Sequence, residues 1–298
     1  MTVVIKVGGA RAVDPAGALA DVASLAEDRE VVVTHGGSTA VDETLERLGL
    51  EPEYVETPSG VVGRFTDEET MDVFKMVMPG LLNTDMVASL QGQGVDAVGL
   101  SGVDGKLLHG PRKSAVRVLE DGKRKIRRGD HSGSLTEVNA DLLESLLTDG
   151  YTPVVSPPMA GADEDDDGDR VVTPVNTDAD RSAAAIAGAL DATLVLLTDV
   201  PGILDDPDDE TTLIESVETP QEWEHLEAAA EGFMGRKVMA MQEALESGAS
   251  RAIVADANAD NPVKSALEGD GTHVKPEALP AEGDENGNDG DTDGGTTR

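Results

Sequence analysis

The 298-residue chain carries 59 Asp and Glu against 23 Lys and Arg, a formal charge of −36, and aromatic residues make up only 2% of it. Such a surface repels nucleic acid and anionic lipid, which argues against polyanion binding and membrane association. It has no cysteine, which removes disulfides and thiolate metal sites, and no apolar run long enough to span a bilayer; the reading is of a soluble, cytoplasmic protein.

In chain order, residues 3–7 (VVIKV) form a β-branched run that suits a strand buried on both faces, yet Lys6 sits inside it. A lysine in such a strand is paired or points into a site. Gly8, Gly9 and Ala10 make a small-residue turn beside that cation. Residues 31–34 form a second strand, followed by His35, Gly36, Gly37 and Ser38. A Gly-Gly turn entering the helix at 39–48 aims backbone N–H groups at a negative ligand. Arg64, just ahead of a helix start at Thr66-Asp67, is either a solvated charge or a bidentate carboxylate clamp. The helical pattern at 68–90 is expected to kink at Pro79-Gly80. Its stripe of Met71, Phe74, Met78, Leu81 and Leu82 reads as core or as a dimer face. Gly92, Gly94 and Ala97 imitate a dinucleotide fingerprint but follow a helix instead of a strand, and no P-loop spacing exists.

Residues 112–128 hold eight of the 23 bases (Arg112, Lys113, Arg117, Lys123, Arg124, Lys125, Arg127, Arg128) against two acids, Glu120 and Asp121. Alternation around Glu120-Asp121-Gly122 predicts a hairpin with an Asp-Gly turn. A solvated hairpin is the plain alternative, but in so acidic a chain this cluster favours an anionic partner. A helix at 139–148 and a strand at 151–156 ending in Pro157-Pro158 come next. Residues 163–169 carry six acids in seven positions, a surface turn without the terminal Glu of a calcium loop.

Residues 171–204 organise the chain: a strand at 171–175, an Ala-rich helix at 182–190 and a strand at 193–197. Asn176, Thr177 and Asp178 supply caps, and the order implies parallel strands joined by a right-handed crossover. Asn176, Asp178, Asp180, Thr198 and Asp199 gather at strand ends, where open α/β sheets bind ligands, and Pro201-Gly202 forces a turn. Helices at 220–230 and 232–241 follow, the second carrying Lys237, and then a buried strand at 251–255. The core ends near Lys275, and residues 276–298 read as a disordered acidic tail.

Six short motifs occur in order: KVGG at 6–9, HGG at 35–37, RFTD at 64–67, NTDAD at 176–180, TDVPGI at 198–203 and GRK at 235–237. Together they resemble the amino acid kinase superfamily, with the spacing of acetylglutamate kinases across residues 1–275. HGGS in place of HGGG, and the 102–139 segment with RGDHSG at 128–133, are similar to one branch in particular. That branch phosphorylates aminoadipate or glutamate attached to an acidic amino-group carrier protein of the LysW type. Gly63 stands where that branch more often has Ser.

The resemblance implies an α/β fold, a three-layer α/β/α sandwich with a mainly parallel central sheet. An acceptor lobe would span about 1–168 and an ATP lobe about 169–275. It implies transfer of the ATP γ-phosphoryl group to a carboxylate, giving an acyl phosphate. Lys6 and Lys237 are then phosphoryl clamps held by Asp180. Gly36, Gly37, Arg64 and Asn176 serve the acceptor; Gly8, Gly9, Thr198, Asp199 and Gly202 serve the nucleotide. Mg²⁺ is expected to travel with ATP and to need few dedicated protein ligands, and no metal-ligating residue is singled out. Lys123, Arg124, Lys125, Arg127 and Arg128 dock the carrier, and the 68–90 helix joins a homodimer. The acidic surface resembles proteins of salt-in halophiles, whose cytoplasm screens charge within about 3 Å near 1 M salt. The alternatives are an N-acetylglutamate kinase and a silent amino-acid or nucleotide sensor. Retention of both lysines argues against the sensor.

Overall fold

The first strand lies in the middle of the molecule. The computed structural model describes residues 1–8, 15–58, 60, 62–120, 122–164, 167–230 and 232–280. The first half comprises β1 (Val3–Val7), α1 (Pro15–Leu25), β2 (Val31–His35), α2 (Ser38–Arg47), β3 (Tyr54–Glu56), β4 (Val62–Arg64), α3 (Glu68–Lys75), α4 (Asn83–Gly92), β5 (Ala97–Gly102), β6 (Leu108–Glu120) and β7 (Lys123–Gly133). There follow β8 (Glu137–Val138), α5 (Ala140–Thr148), β9 (Thr152–Glu164), β10 (Arg170–Val175), α6 (Ala179–Ala189) and β11 (Thr193–Thr198). The rest is β12 (Ser216–Val217), α7 (Pro220–Ala229), α8 (Gly232–Glu246), β13 (Arg251–Asp256), α9 (Pro262–Glu268) and β14 (Thr272–Val274).

Among the described residues twelve of these strands make one sheet, ordered β12-β14-β13-β11-β1-β2-β9-β6-β7, with β5 and β10 also on β9 and β8 on β6, while β3 and β4 pair separately as an antiparallel ribbon. The run from β13 through β11, β1 and β2 to β9 is parallel. Both faces of this run are covered, so its strands are mostly apolar on both faces and do not alternate. Val4, Leu194, Leu196 and Val254 face Ala183, Ile186, Met241 and Ala244 of α6 and α8. Val3, Ile5, Val33 and Val195 face Leu19 and Val22 of α1, Leu90 of α4 and Val263 of α9. The result is the three-layer sandwich expected from the sequence. Among the described residues no helix is long and apolar enough to cross a membrane.

Three expectations need correction. The 171–204 stretch is not a parallel crossover unit: β10 runs antiparallel along β9 and therefore antiparallel to β11. β9 does not stop at Pro157-Pro158. Its pairing with β5 jumps from Ser101–Ser156 to Gly102–Met159, so the two prolines sit in a bulge where no ladder N–H is required. The strand continues to Glu164, and β10 folds back on that extension to deliver Asn176 near the carboxyl ends of the central strands. Finally, the core does not end at Lys275. A 3₁₀ turn at Pro276–Ala278 buries Ala278 completely, and Leu279 packs on the same core. Residues 281–298 of the expected tail lie outside the described residues.

The 68–90 helix is continuous but widens into π geometry at Met76–Leu82, around Pro79, which has no N–H to give an α-helical bond. Met71, Phe74 and Met78 turn inward against Val41 and Leu45 of α2, so that part of the stripe is core. Met76 and Leu81 are exposed.

Candidate active site

Lys6 shares the sheet face of Val4 and projects toward the starts of α6 and α8. Asp178 caps α6, its carboxylate accepting the N–H groups of Asp180 and Arg181 at 2.9 and 3.0 Å. The cap fixes Asp180 in the first turn, facing β1. Lys6 Nζ lies 2.6 Å from Asp180 Oδ1, and Lys237 Nζ, from the first turns of α8, lies 3.1 Å from Oδ2. All three side chains are largely buried. Burial alone would raise the Asp180 pKa, but the charges and hydrogen bonds of both lysines reverse this and bring it to about 2. Lys237 is pushed down by burial and by the charge of Lys6, against the pull of Asp180. Two ammonium groups share one carboxylate, leaving an excess of positive charge in an otherwise acidic molecule. That arrangement suits oxygen atoms that gain negative charge during a reaction.

The glycine turn sits beside it. Gly36 N–H donates to Val7 O at 3.2 Å, tying the end of β2 to the end of β1. Gly37 opens α2 with extended backbone, so its requirement is one of space. A Cβ there would stand 2.3 Å from Leu82 Cδ1 and 2.6 Å from Met78 Sδ.

On the acceptor side, the Arg64 guanidinium is occupied by the protein itself. It pairs with Asp42, donates to Ser38 O, Ser38 Oγ and Tyr54 OH, and lies over the Tyr54 ring. Asn176 Nδ2 donates to Thr66 Oγ1 at 3.0 Å, and buried Asp130 accepts the Thr66 N–H at 3.1 Å and the Ser132 hydroxyl. Asn176 is thereby tied to Thr66, two residues after Arg64 in the chain. Arg236, next to Lys237, donates to the carbonyl of Val62 on β4, linking the helix of one clamp to the strand of Arg64. Sequence reading missed Asp42, Tyr54, Thr66, Asp130 and Arg236. The signals for Tyr54 and Asp130 were present: one of two tyrosines, and the acid of the RGDHSG motif.

On the nucleotide side, Lys6 stands opposite Leu196 in the ladder, which brings Gly8 and Thr198 to the same end of β1 and β11. Thr198 Oγ1 donates to Asp199 Oδ1 at 3.2 Å, and Asp199 is exposed. Gly202 is buried because β14 passes close: a Cβ there would lie 2.7 Å from Thr272 Oγ1 and 3.1 Å from Thr272 N. A groove between Pro201, Leu213, Asp256 and Pro262 runs beside this end. Gly9 lies outside the described residues. Among the described residues no group of three or more His, Asp or Glu side chains is arranged to hold a metal ion.

β6 and β7 form the expected hairpin at the sheet edge, with Glu120 opposite Lys123. Its two faces differ. Val116, Val118, Lys125 and Arg127 share one face; Val118 is buried, Lys125 pairs with Glu120 at 2.7 Å, and Arg127 pairs with Glu53 while stacking 4.0 Å above Phe65. On the other face Arg117 stands opposite Ile126, flanked by Arg124 and Arg128, and Ile126 is 68% exposed. Arg112 pairs with Asp163. Of the five bases expected to meet a partner, Lys123, Arg124 and Arg128 stand out into solvent, whereas Arg127 and Lys125 have intramolecular partners.

Residues 1–256 match the model of the amino acid kinase family. The chain is 42% identical over 277 residues to the [LysW]-aminoadipate kinase of Thermus thermophilus, matching 92% of this chain and all of that protein. It is 43% identical over 275 residues to the acetylglutamate kinase of Methanopyrus kandleri, covering 91% of this chain and 99% of that one. Among solved structures, the N-acetylglutamate synthase of Neisseria gonorrhoeae superposes with a TM-score of 0.69 at 24% identity, over 92% of this chain and 59% of that one, a likeness of fold. Matched over most of its length in sequence and in architecture, the chain belongs to the amino acid kinase family.

Proposed function

We propose that the protein transfers the ATP γ-phosphoryl group to the side-chain carboxylate of aminoadipate or glutamate carried by an acidic amino-group carrier protein. The observation that carries the chemistry is the Lys6–Asp180–Lys237 cluster. A glutamate-like carboxylate, with a pKa of about 4.3, is already ionised at neutral pH, so the reaction needs no general base. One carboxylate oxygen attacks the γ-phosphorus in line, the bond to the β-phosphate oxygen breaks, and an acyl phosphate and ADP result. The obstacle is the approach of two anions, and Lys6 and Lys237 oppose it by neutralising the transferring oxygens. Asp180 holds both ammonium groups apart from solvent. The free N–H groups at the start of α2 add neutral donors. Mg²⁺ enters with the nucleotide.

The carrier is supported by the relatives' names and by the outer hairpin face, where three arginines ring an exposed isoleucine. The second reading, N-acetylglutamate kinase, is favoured by the equally similar Methanopyrus kandleri enzyme. Met76 and Leu81, exposed on the long helix, support a homodimer through that face, and the charge of −36 supports work in concentrated salt. Acceptor lobe and ATP lobe share one continuous sheet, with β1 between β2 and β11.

The deciding experiment measures ATP turnover with carrier-linked aminoadipate, carrier-linked glutamate and free N-acetylglutamate. Carrier-linked substrates should be preferred, and replacing Arg117, Arg124 and Arg128 by Glu should abolish that preference while sparing any slow turnover of a free acceptor. Faster turnover of free N-acetylglutamate refutes the carrier reading, and equal loss on both kinds of acceptor refutes the docking face.

A further inference from the structure

His35 ends β2 and is completely buried, with Nδ1 3.0 Å from Gly36 O and Nε2 3.3 Å from Asn83 Nδ2. Asn83, 3% exposed, begins α4 directly after the π turn, and its Nδ2 also lies 2.8 Å from Val154 O on β9. An amide nitrogen carries two hydrogens and no acceptor lone pair. Turning the amide over would set its oxygen against the Val154 carbonyl. Asn83 Nδ2 therefore donates to both partners, and His35 Nε2 must accept. The ring proton is thereby confined to Nδ1, which donates to Gly36 O.

This chain of bonds determines which way one peptide faces. In a planar trans peptide the C=O of one residue and the N–H of the next point in opposite directions. With Gly36 O drawn toward the buried ring, the Gly37 N–H turns out of the core at the carboxyl ends of β1 and β2, where Lys6 also emerges. No partner for that N–H is found among the described residues. Two adjacent glycines give the peptide little resistance of its own to flipping.

We propose that His35 and Asn83 are positioning residues that lock the Gly36–Gly37 peptide, keeping the Gly37 N–H aimed at an oxygen of the group being transferred. The identity of that group rests on the kinase reading; the lock itself does not. Burial, together with the charge of Lys6 and despite the bond to Gly36, brings the His35 pKa to about 4, so the ring stays neutral at working pH.

The test uses the intact enzyme and two readouts. Nitrogen-resolved NMR of the wild-type imidazole should find a neutral ring protonated at Nδ1; a proton on Nε2 overturns the proposal whether or not any variant folds. In steady-state kinetics, His35→Gln and Asn83→Ala should lose about tenfold or more in kcat, approaching the 10²-fold typical of a lost transition-state donor, with little change in nucleotide KM. His35→Asn, whose amide nitrogen occupies the place of Nδ1, should keep most of kcat. A merely structural histidine would make Asn and Gln equally harmful, and equal kcat values in the two variants overturn the lock. Absence of turnover on every acceptor refutes the kinase reading, and the tautomer still decides the lock.

Discussion

Replacing Asp180 by Asn keeps the shape of the cluster and removes the negative charge that both lysines contact. In the wild type the Asp180 carboxyl titrates at about 2 against an ordinary 3.8, and at about 1.4 kcal/mol per pH unit this difference amounts to about 2 kcal/mol of folding stability. Because the folded value is depressed, that contribution is full above pH 4 and is lost as the pH falls from about 4 to 2. The Asn variant loses more than this, since two ammonium groups remain buried without the carboxylate that touches both; breaking such a pair costs about 3–5 kcal/mol. At about 2–4 °C per kcal/mol, melting should fall by about 6–20 °C. Lys237, already pushed down by burial and by the charge of Lys6, moves further down once the opposing pull of the Asp180 charge is gone. Residual kcat should then decline as pH rises through a range where the wild type is flat. Calorimetry and single-turnover rates between pH 6 and 9 measure both effects. A variant that melts with the wild type and whose residual rate ignores pH would refute the reasoning.

The remaining expectations are simpler. Lys6→Ala and Lys237→Ala should each lower kcat by about 10²-fold or more with a smaller change in nucleotide KM, checked by steady-state kinetics. Ending the chain after Lys275 removes the docked Ala278 and Leu279 and should cost about 1.5–3 kcal/mol, read as a lower urea midpoint; a chain ended after Pro280 keeps those contacts. With 59 acids against 23 bases, raising KCl from about 0.1 to 1 M shortens the Debye length from about 10 to 3 Å and should raise the melting temperature.

What the sequence discloses depends on how local the physics is. VVIKV, VVVTH, TLVLLT and RAIVAD carry apolar residues toward both sides because both sheet faces are covered, and each is legible as a buried strand. Ser216–Val217 and Thr272–Val274 are too short to show any period. The direction of β10 is invisible because it depends on β9 running past two prolines that read locally as an end. Leu279 was hidden by averaging over a polar segment. In the site, Lys6 and Lys237 announce themselves as charges in apolar or motif settings. Asn83 does not, since a polar residue in a helix reads as surface until the tertiary fold brings His35 and Val154 against it. Arg127 was misleading for the opposite reason: its partner Glu53 is 74 residues away.

The central place of β1 has a bearing on how the chain is made. Val3–Val7 leaves the ribosome well ahead of one of its two ladder partners, β11, which follows about 190 residues later. At about 5–20 residues per second, the apolar strand waits roughly 10–40 s with one edge open, a template for mispairing with other nascent chains. Lys6 rides on that strand and meets Asp180 and Lys237 only after synthesis has passed both. A prematurely ended chain thus exposes a sticky strand and has no complete lysine cluster, so phosphoryl-transfer competence arrives together with the closure of the sheet.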